Sequence, residues 1–194
     1  RSDHAWHAGL HLVAGDEGAG KTALLCLLAG AMKPRAGRIE YLFNANGKLQ
    51  ASELFWQHPR TELSEADLKM TCRDWIARRA KDYPQWIAAD FERHVEGFAL
   101  AEHMHKPLLA LSTGSLRKLW MAAAWASGAA LTLIDEPFAA LDKPSMRHVQ
   151  ETLNEFTIED QMERFGEARR CVIVTHWDEM DGVDWDDVLT LTSP

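Results

Sequence analysis

The sequence is poor in cysteine, in basic residues and in long apolar runs, and each shortage excludes a class of protein. Its three cysteines, Cys26, Cys72 and Cys171, have neither metal-ligand nor disulfide spacing, so we expect buried, reduced thiols. The 21 basic residues face 29 acidic ones, and this net charge of −8 argues against a dedicated nucleic-acid-binding protein. The longest uncharged stretch, residues 119–134, is shorter than the roughly 20 apolar residues of a transmembrane helix.

We expect no signal peptide, because the chain opens with Arg-Ser-Asp-His and no apolar segment follows. The first residue is not methionine, so we expect the native N-terminus to be missing or processed. Apolar residues make up 46% of the 194-residue chain and charged residues 26%, which is ordinary for a globular domain. We therefore expect one domain with a real core and a small insertion.

Strand-like and helix-like segments alternate, which predicts a parallel α/β sheet covered on both faces. Apolar runs predict strands at residues 9–14, 38–43, 52–56, 131–134, 171–175 and 188–192. Helices are predicted at residues 23–29, 115–127 and 145–156.

Residues 62–109 differ from the rest because they are polar and helical. Ile87, Phe91, Val95 and Phe98 recur along one helical face in this segment. We expect an insertion of two or three helices here.

A glycine-rich segment lies between the first predicted strand and the first predicted helix. It fits the pattern G-x-x-x-x-G-K-T, and its residues are Gly15, Asp16, Glu17, Gly18, Ala19, Gly20, Lys21 and Thr22. Glycines allow a tight turn whose backbone N–H groups point at phosphate oxygens, and the next helix adds its positive N-terminal end. Lys21 is then placed for the β- and γ-phosphates and the Thr22 hydroxyl for Mg²⁺. Asp16 and Glu17 must point outward to be tolerated beside a polyanion.

Two acidic residues end a buried strand more than a hundred residues further along. Asp135 and Glu136 follow the apolar residues 131–134 and precede Pro137. Asp135 is therefore delivered to the carboxyl edge of the sheet, where it can hold the Mg²⁺ shell beside Thr22. Glu136 would face the water in line with the γ-phosphate, which is the position of a general base.

With these motifs the chain resembles the nucleotide-binding domain of ABC (ATP-binding cassette) proteins. Four more segments carry the resemblance: the signature-like Leu111, Ser112, Thr113, Gly114 and Ser115, the D-loop-like Ala139, Ala140, Leu141 and Asp142, the switch-like His176, and the Q-loop-like Gln57. They stand in the family's order over residues 9–177. The resemblance implies a P-loop NTPase fold with a mainly parallel sheet. It also implies a helical subdomain at about residues 61–110 between core segments 1–60 and 111–194.

The resemblance further implies Mg²⁺-dependent ATP hydrolysis by a homodimer. Two copies would pack head to tail, so that the signature of one closes over the ATP bound by the P-loop of the other. Ser112 and the Gly114 amide would donate to the γ-phosphate across that interface. His176 would contact the γ-phosphate. Gln57 would bind the nucleotide and Mg²⁺ and couple them to a partner.

Three features depart from the family's pattern. Thr113 stands where glycine is usual, which adds a side chain at a close backbone approach, and Ser115 stands where glutamine is usual. A preceding strand with an aromatic residue that stacks on adenine is expected to be missing. Trp6 lies too close to Gly15 for that role, so we assign the adenine platform to no residue.

Two other groups have both a functional and a structural interpretation. His4, His7 and His11 have near-helical spacing and would suit a metal, although a strand-edge location is the simpler interpretation. Trp56 would suit a groove that receives a permease helix, and core packing explains it equally well.

The leading interpretation is the ATP-hydrolysing subunit of an ABC transporter, which drives a separate membrane permease from the cytoplasmic face of the inner membrane. The short length and the segment DEPFAALD, residues 135–142, resemble compact bacterial exporter ATPases such as those of haem exporters. A soluble ABC-type ATPase that acts on another macromolecule is the first alternative. A regulatory nucleotide-binding module without turnover is the second; Thr113 and Ser115 favour it, and the intact Lys21 and Glu136 argue against it.

Overall fold

The computed structural model describes residues 4–43, 47–56, 63–165 and 170–192, which form a five-stranded sheet with helices on both faces. The strands are β1 (Gly9–Gly15), β2 (Leu54–Trp56), β3 (Leu131–Asp135), β4 (Cys171–His176) and β5 (Asp187–Leu191). Their order is β2-β3-β4-β1-β5, and every neighbouring pair is parallel. The predicted parallel α/β sheet is confirmed.

The parallel pairing brings distant segments of the chain to one edge of the sheet. Ala14 in β1 lies opposite His176 at the end of β4, and Asp135 at the end of β3 lies opposite Thr175. In such sheets, ligands bind outside the carboxyl ends of the strands. The predicted phosphate, metal and switch residues therefore meet at this edge.

Most helices begin where a side chain caps them. The helices are α1 (Lys21–Leu28), α2 (Glu65–Lys69), α3 (Cys72–Ala80), α4 (Ala88–Gly97), α5 (Thr113–Ala126), α6 (Lys143–Asn154) and α7 (Ile158–Phe165). Ser64, Thr71, Ser112 and Asp142 each accept a hydrogen bond from the N–H three residues further on, which satisfies a donor that the helix leaves free. Within the described ranges no helix has the length and apolar character to cross a membrane.

The core lies on both faces of the sheet because successive side chains of a strand point to opposite sides. Leu10 and Leu12 of β1 belong to a buried cluster with residues of α3 to α6. Val13, between Leu12 and the end of the strand, belongs to a second cluster with Leu25 of α1. Helices therefore cover both faces, as the sequence predicts.

The predicted helical insertion is present. Helices α2, α3 and α4 lie between β2 and α5, and α4 packs along α5. Phe91, Val95 and Phe98 are at most 3% exposed and Ile87 is partly buried, so the predicted apolar face is the one that packs inward. That the insertion forms a separate subdomain stays a prediction.

Residues 38–43 form no strand, contrary to the sequence prediction. Leu42 is 88% exposed, and in the described part of the chain no strand lies beside this segment. An alternating apolar pattern becomes a strand only when a neighbour completes its backbone hydrogen bonds. The Tyr41 hydroxyl instead donates to the Leu28 carbonyl at 2.9 Å, which attaches the segment to the end of α1.

Other boundaries differ for local reasons. The predicted strand at 52–56 is a 3-10 turn, Ala51–Glu53, followed by the three residues of β2. Helices α5 and α6 begin two residues earlier than predicted, because Ser112 and Asp142 are their N-caps. Helix α7 is an addition to the predicted set.

The three cysteines are free thiols. Cys72 is buried, whereas Cys26 and Cys171 are partly buried, so the expectation of three buried thiols is correct for one. Burial raises the pKa of the Cys171 thiol to about 12, which keeps it protonated and unreactive at neutral pH.

A buried arginine stabilises the end of α5. Arg170 precedes β4 and is 2% exposed. Its guanidinium donates to the carbonyls of Ala124, Trp125 and Ala129, to the hydroxyl of Thr132 and, at 3.5 Å, to the side-chain oxygen of Gln161. Ala124 and Trp125 lie in the last turn of α5, where a cation also complements the negative end of the helix dipole.

Replacing Arg170 by methionine should lower the free energy of unfolding by about 2–4 kcal/mol, because several buried oxygens would lose their charged donor. Equilibrium urea unfolding followed by circular dichroism measures this change. Arg73→Met is the matched control: Arg73 and its partner Glu92 are both 52% exposed, and such surface pairs contribute about 0–1 kcal/mol. Equal losses in the two variants would contradict a special role for Arg170.

Candidate active site

Residues 16–20 form the loop that joins β1 to α1. The Ala19 N–H donates to the Asp16 carbonyl at 3.1 Å and closes the turn. Gly20 has a φ of 98°, in the left-handed region that glycine adopts without steric cost. Asp16 and Glu17 are exposed, as the sequence requires of two acids in a phosphate-binding loop.

Lys21 links the loop to the acidic end of β3. The residue is 8% exposed, and its Nζ donates to the carbonyls of Gly15 at 2.6 Å and Asp16 at 3.2 Å. The same ammonium lies 3.1 Å from Oε1 of Glu136. A nearly buried cation and a carboxylate therefore face each other at the carboxyl edge of the sheet.

Asp135 is held by two hydroxyl groups. Its Oδ2 accepts from the Thr22 hydroxyl at 2.8 Å, and its Oδ1 accepts from the Thr175 hydroxyl at 2.6 Å. The two threonines belong to α1, which packs against the sheet, and to β4, the strand next to β3. The predicted pairing of Asp135 with Thr22 is therefore present in the structure.

Glu136 occupies an unusual backbone conformation directly after β3. Its φ is 48°, a left-handed value that L side chains rarely adopt. The Glu136 N–H donates to the Thr175 carbonyl at 3.0 Å, which attaches the turn to β4. The side chain is 32% exposed, and its Oε2 lies 3.9 Å from Nε2 of His176. Solvent therefore reaches this carboxylate.

His176 is oriented by an acid that the sequence analysis missed. The His176 side chain is 6% exposed, and its Nδ1 lies 2.7 Å from Oδ1 of Asp178. Such a contact fixes the tautomer, so that Nδ1–H donates to the carboxylate and Nε2 faces Glu136. An acid two residues after the histidine is the sequence signal that would have found Asp178.

Arg117 is the second residue that the sequence analysis missed. It lies on α5, and its Nη1 donates to the carbonyls of Asp135, at 3.1 Å, and of Glu136. Burial lowers the pKa of Arg117, and the charges of Asp135 and Glu136 oppose that shift. In the sequence, Arg117 looks like any other basic residue of a helix. Only its position, two residues after the signature-like segment, distinguishes it from the other basic residues.

The signature-like residues form the start of α5. The Ser112 hydroxyl accepts from the Ser115 N–H at 3.1 Å and lies 3.0 Å from the Ser115 hydroxyl. Thr113 is exposed, so its side chain does not crowd the backbone of its own chain. A Cβ atom on Gly114 would overlap the Ala140 carbonyl oxygen. Glycine is therefore required at position 114 and not at position 113.

The D-loop-like segment is joined to the same helix. Asp142 caps α6 through the Ser145 N–H at 2.9 Å, and Lys118 of α5 donates to it at 2.6 Å. The Lys118 ammonium, followed by the Ser145 donors, holds the pKa of Asp142 well below its usual value. Within the described residues, no hydrogen bond or ion pair joins the signature-like segment to the P-loop.

Gln57 lies outside the described residues. Strand β2 ends at Trp56, which is partly buried against the cluster around Val13, so the core-packing interpretation of Trp56 is supported. Trp6 is partly buried against the same cluster. His4 pairs with Asp187 at 2.8 Å, and the described residues contain no cluster of three or more His, Cys, Asp or Glu side chains that could hold a metal ion.

Comparisons with known proteins identify the family of the chain. The sequence pattern of the ABC transporter family matches residues 5–139. The chain is 34% identical to the phosphonates import ATP-binding protein PhnC 2 of Albidiferax ferrireducens over 159 residues, which are 73% of this chain and 56% of that protein. It is 30% identical to the cytochrome c biogenesis ATP-binding export protein CcmA of Pseudomonas savastanoi over 144 residues, which are 73% of this chain and 66% of that protein. The chain thus spans between half and two thirds of these relatives.

The fold is also that of a solved structure from Pyrococcus furiosus, described as an ABC transporter ATP-binding protein. The TM-score is 0.68 with 22% identity, over 94% of this chain and 84% of that one. The solved structure shares the fold, and the sequence pattern covers more than half of the chain. The chain belongs to the ABC transporter family.

Proposed function

We propose that the chain is the ATP-binding and ATP-hydrolysing subunit of an ABC transporter. The observation that carries the proposal is the meeting of a P-loop lysine with two acids at one sheet edge. Lys21 lies 3.1 Å from Glu136, and the hydroxyl of the adjoining Thr22 lies 2.8 Å from Asp135. These groups supply the cation, the metal ligands and the base that phosphoryl transfer to water requires.

The P-loop would bind the phosphates of ATP. Its backbone N–H groups and the positive end of α1 attract anions, and Lys21 adds a full charge. Burial strengthens the interaction, because a charge that is 8% exposed is only weakly screened by water. Gly15 to Thr22 would thus contribute to nucleotide binding as a unit.

The oxygen atoms beside Lys21 fit a magnesium ion. Hydroxyl and carboxylate oxygens are the ligands that Mg²⁺ prefers, and Thr22 and Asp135 already lie within hydrogen-bond distance of each other. In the proposal these two residues bind Mg²⁺, with Gln57 as a further ligand. A bound Mg²⁺ ion neutralises charge on the β- and γ-phosphates.

Glu136 would be the general base for hydrolysis. Its carboxylate is accessible to solvent and lies between Lys21 and His176, at 3.1 and 3.9 Å. A water molecule that donates a proton to this carboxylate is directed at the γ-phosphate bound by Lys21. His176, oriented by Asp178, would contact the γ-phosphate and stabilise the charge that develops there.

The signature-like segment would act on a second ATP molecule. The described residues contain no hydrogen bond between this segment and their own P-loop, which supports a head-to-tail homodimer. In that dimer the Ser112 hydroxyl and the Gly114 amide donate to the γ-phosphate bound by the partner. The Asp142 segment would lie at the same interface.

A membrane permease would be the other partner. The two relatives are named as import and export ATP-binding proteins, which supports a role in energising transport without assigning a direction. In this proposal the chain works at the cytoplasmic face of the inner membrane. The helical insertion of α2 to α4 would form the subdomain that receives the permease.

Lys21→Ala should reduce ATP hydrolysis by at least about a hundredfold, because it removes the main charge that faces the transferred phosphate. Phosphate release at saturating Mg-ATP measures the effect, and thermal melting checks that the fold is retained. Lys81→Ala, which removes an exposed lysine after α3, should leave the rate unchanged. Turnover at the wild-type rate in Lys21→Ala would exclude the P-loop assignment.

Glu136→Gln should bind ATP and fail to hydrolyse it, because the amide keeps the shape of the side chain and loses the base. The ATP-bound protein should then accumulate as a dimer in size-exclusion chromatography with Mg-ATP. Glu96→Gln, an exposed change on α4, should behave as wild type. A monomer at every protein concentration would contradict the dimer, and rapid hydrolysis would contradict the base.

Gly114→Ala should lower hydrolysis at least about tenfold, because the new Cβ atom displaces the Ala140 carbonyl and the segment that follows it. ATP binding measured by calorimetry should stay close to wild type, since the P-loop is not altered. Thr113→Gly is the matched control at the exposed neighbouring position, where we expect no change in thermal stability. Full activity in Gly114→Ala would show that this close approach has no functional importance.

A further inference from the structure

Arg117 reaches from α5 to the turn that carries Glu136. One nitrogen, Nη1, donates to two successive carbonyls, those of Asp135 at 3.1 Å and of Glu136. Within the described residues these carbonyls are its only hydrogen-bond partners. The guanidinium thus donates to the backbone carbonyls of the two acids and not to their carboxylates.

The backbone at Glu136 needs such support. A φ of 48° is strained for a residue with a Cβ atom, and strained residues persist only when their surroundings hold them. The Glu136 N–H is held by the Thr175 carbonyl at 3.0 Å, and the Ala139 N–H donates back to the Glu136 carbonyl at 3.1 Å. Arg117 adds a charged donor to that carbonyl, and charged donors make the stronger hydrogen bonds.

The surroundings of Arg117 make this contact specific. The side chain lines a cavity of about 50 Å³ together with apolar groups that include Phe55, Trp120, Leu133 and Pro137. An arginine placed there solely for solubility would extend into water. Arg117 lies between an apolar cavity and two carbonyls, which indicates that its hydrogen bonds to the carbonyls keep the side chain in this position.

We propose that Arg117 is a positioning residue for ATP hydrolysis, whose guanidinium holds the backbone turn that aims the Glu136 carboxylate. This inference rests on the proposed function, in which Glu136 is the general base. The carboxylate lies 3.1 Å from Lys21 and 3.9 Å from His176, and a rotation of the turn changes both distances. The loop of residues 16–20 lies outside this turn, so we expect a change in the turn to affect hydrolysis more than ATP binding.

The test measures kcat and KM for Mg-ATP, together with the Kd for ATP, in Arg117→Gln and Arg117→Lys. Arg117→Gln should lower kcat about tenfold to a hundredfold, because a displacement near 1 Å is enough for such a loss. The Kd for ATP should stay within about twofold of wild type. Arg117→Lys keeps the charge with a single ammonium and should recover part of the lost kcat. Arg73→Gln, a surface arginine of α3, is the control that should leave kcat unchanged.

A double variant separates positioning from general structural support. If Arg117 acts through Glu136, adding Arg117→Gln to Glu136→Gln should cause no further loss of the residual hydrolysis. A purely structural role would instead lower the melting temperature and reduce activity further in the double variant. If Arg117→Gln fails to fold, the kcat and Kd of Arg117→Lys decide the question, with a fall in kcat at constant Kd expected.

The outcomes for Arg117 and for the proposed function are distinguishable. Hydrolysis by wild type, its loss in Glu136→Gln and an unchanged kcat in Arg117→Gln would overturn the role of Arg117 and leave the function intact. A parallel rise in KM and Kd at constant kcat would also overturn it, because that pattern assigns Arg117 to ATP binding. Absence of hydrolysis in the wild-type protein would overturn the proposed function itself.

Discussion

The carboxylate of Asp135 is the group on which the rest of the site depends. It accepts hydrogen bonds from Thr22 at 2.8 Å and from Thr175 at 2.6 Å. Hydrogen bonds to an ionised carboxylate are among the stronger ones, and here the donors come from α1 and β4, which are distant from β3 in sequence. The P-loop, the turn that carries Glu136 and the strand that carries His176 are therefore held in one arrangement.

The residues around this carboxylate are predictable from the sequence because each follows a short apolar strand. Parallel strands present their carboxyl ends together, so the positions of Lys21, Asp135, Glu136 and His176 follow from the order of the strands. Arg117 is not predictable in the same way. Its contacts depend on how far one side chain reaches between two packed elements, and no spacing in the sequence records that distance.

Strands and helices were predictable to different extents for a physical reason. A helix satisfies its own backbone and begins at a local signal, so the early starts of α5 and α6 are readable from the caps Ser112 and Asp142. A strand needs a partner from elsewhere in the chain. Residues 38–43 have the composition of a strand and lack a neighbour among the described residues, and local pattern cannot reveal that.

Helix α5 connects the signature-like segment to both acidic segments of the site. At its start, Gly114 lies against the Ala140 carbonyl, and one turn later Lys118 donates to Asp142. Arg117, on the same turn, holds the backbone that carries the proposed base. In the proposed head-to-tail dimer the start of α5 would contact the ATP bound by the partner. The first two turns of α5 would then link occupation of one ATP site to the geometry of the base in the other, because residues 114–118 of one helix move together.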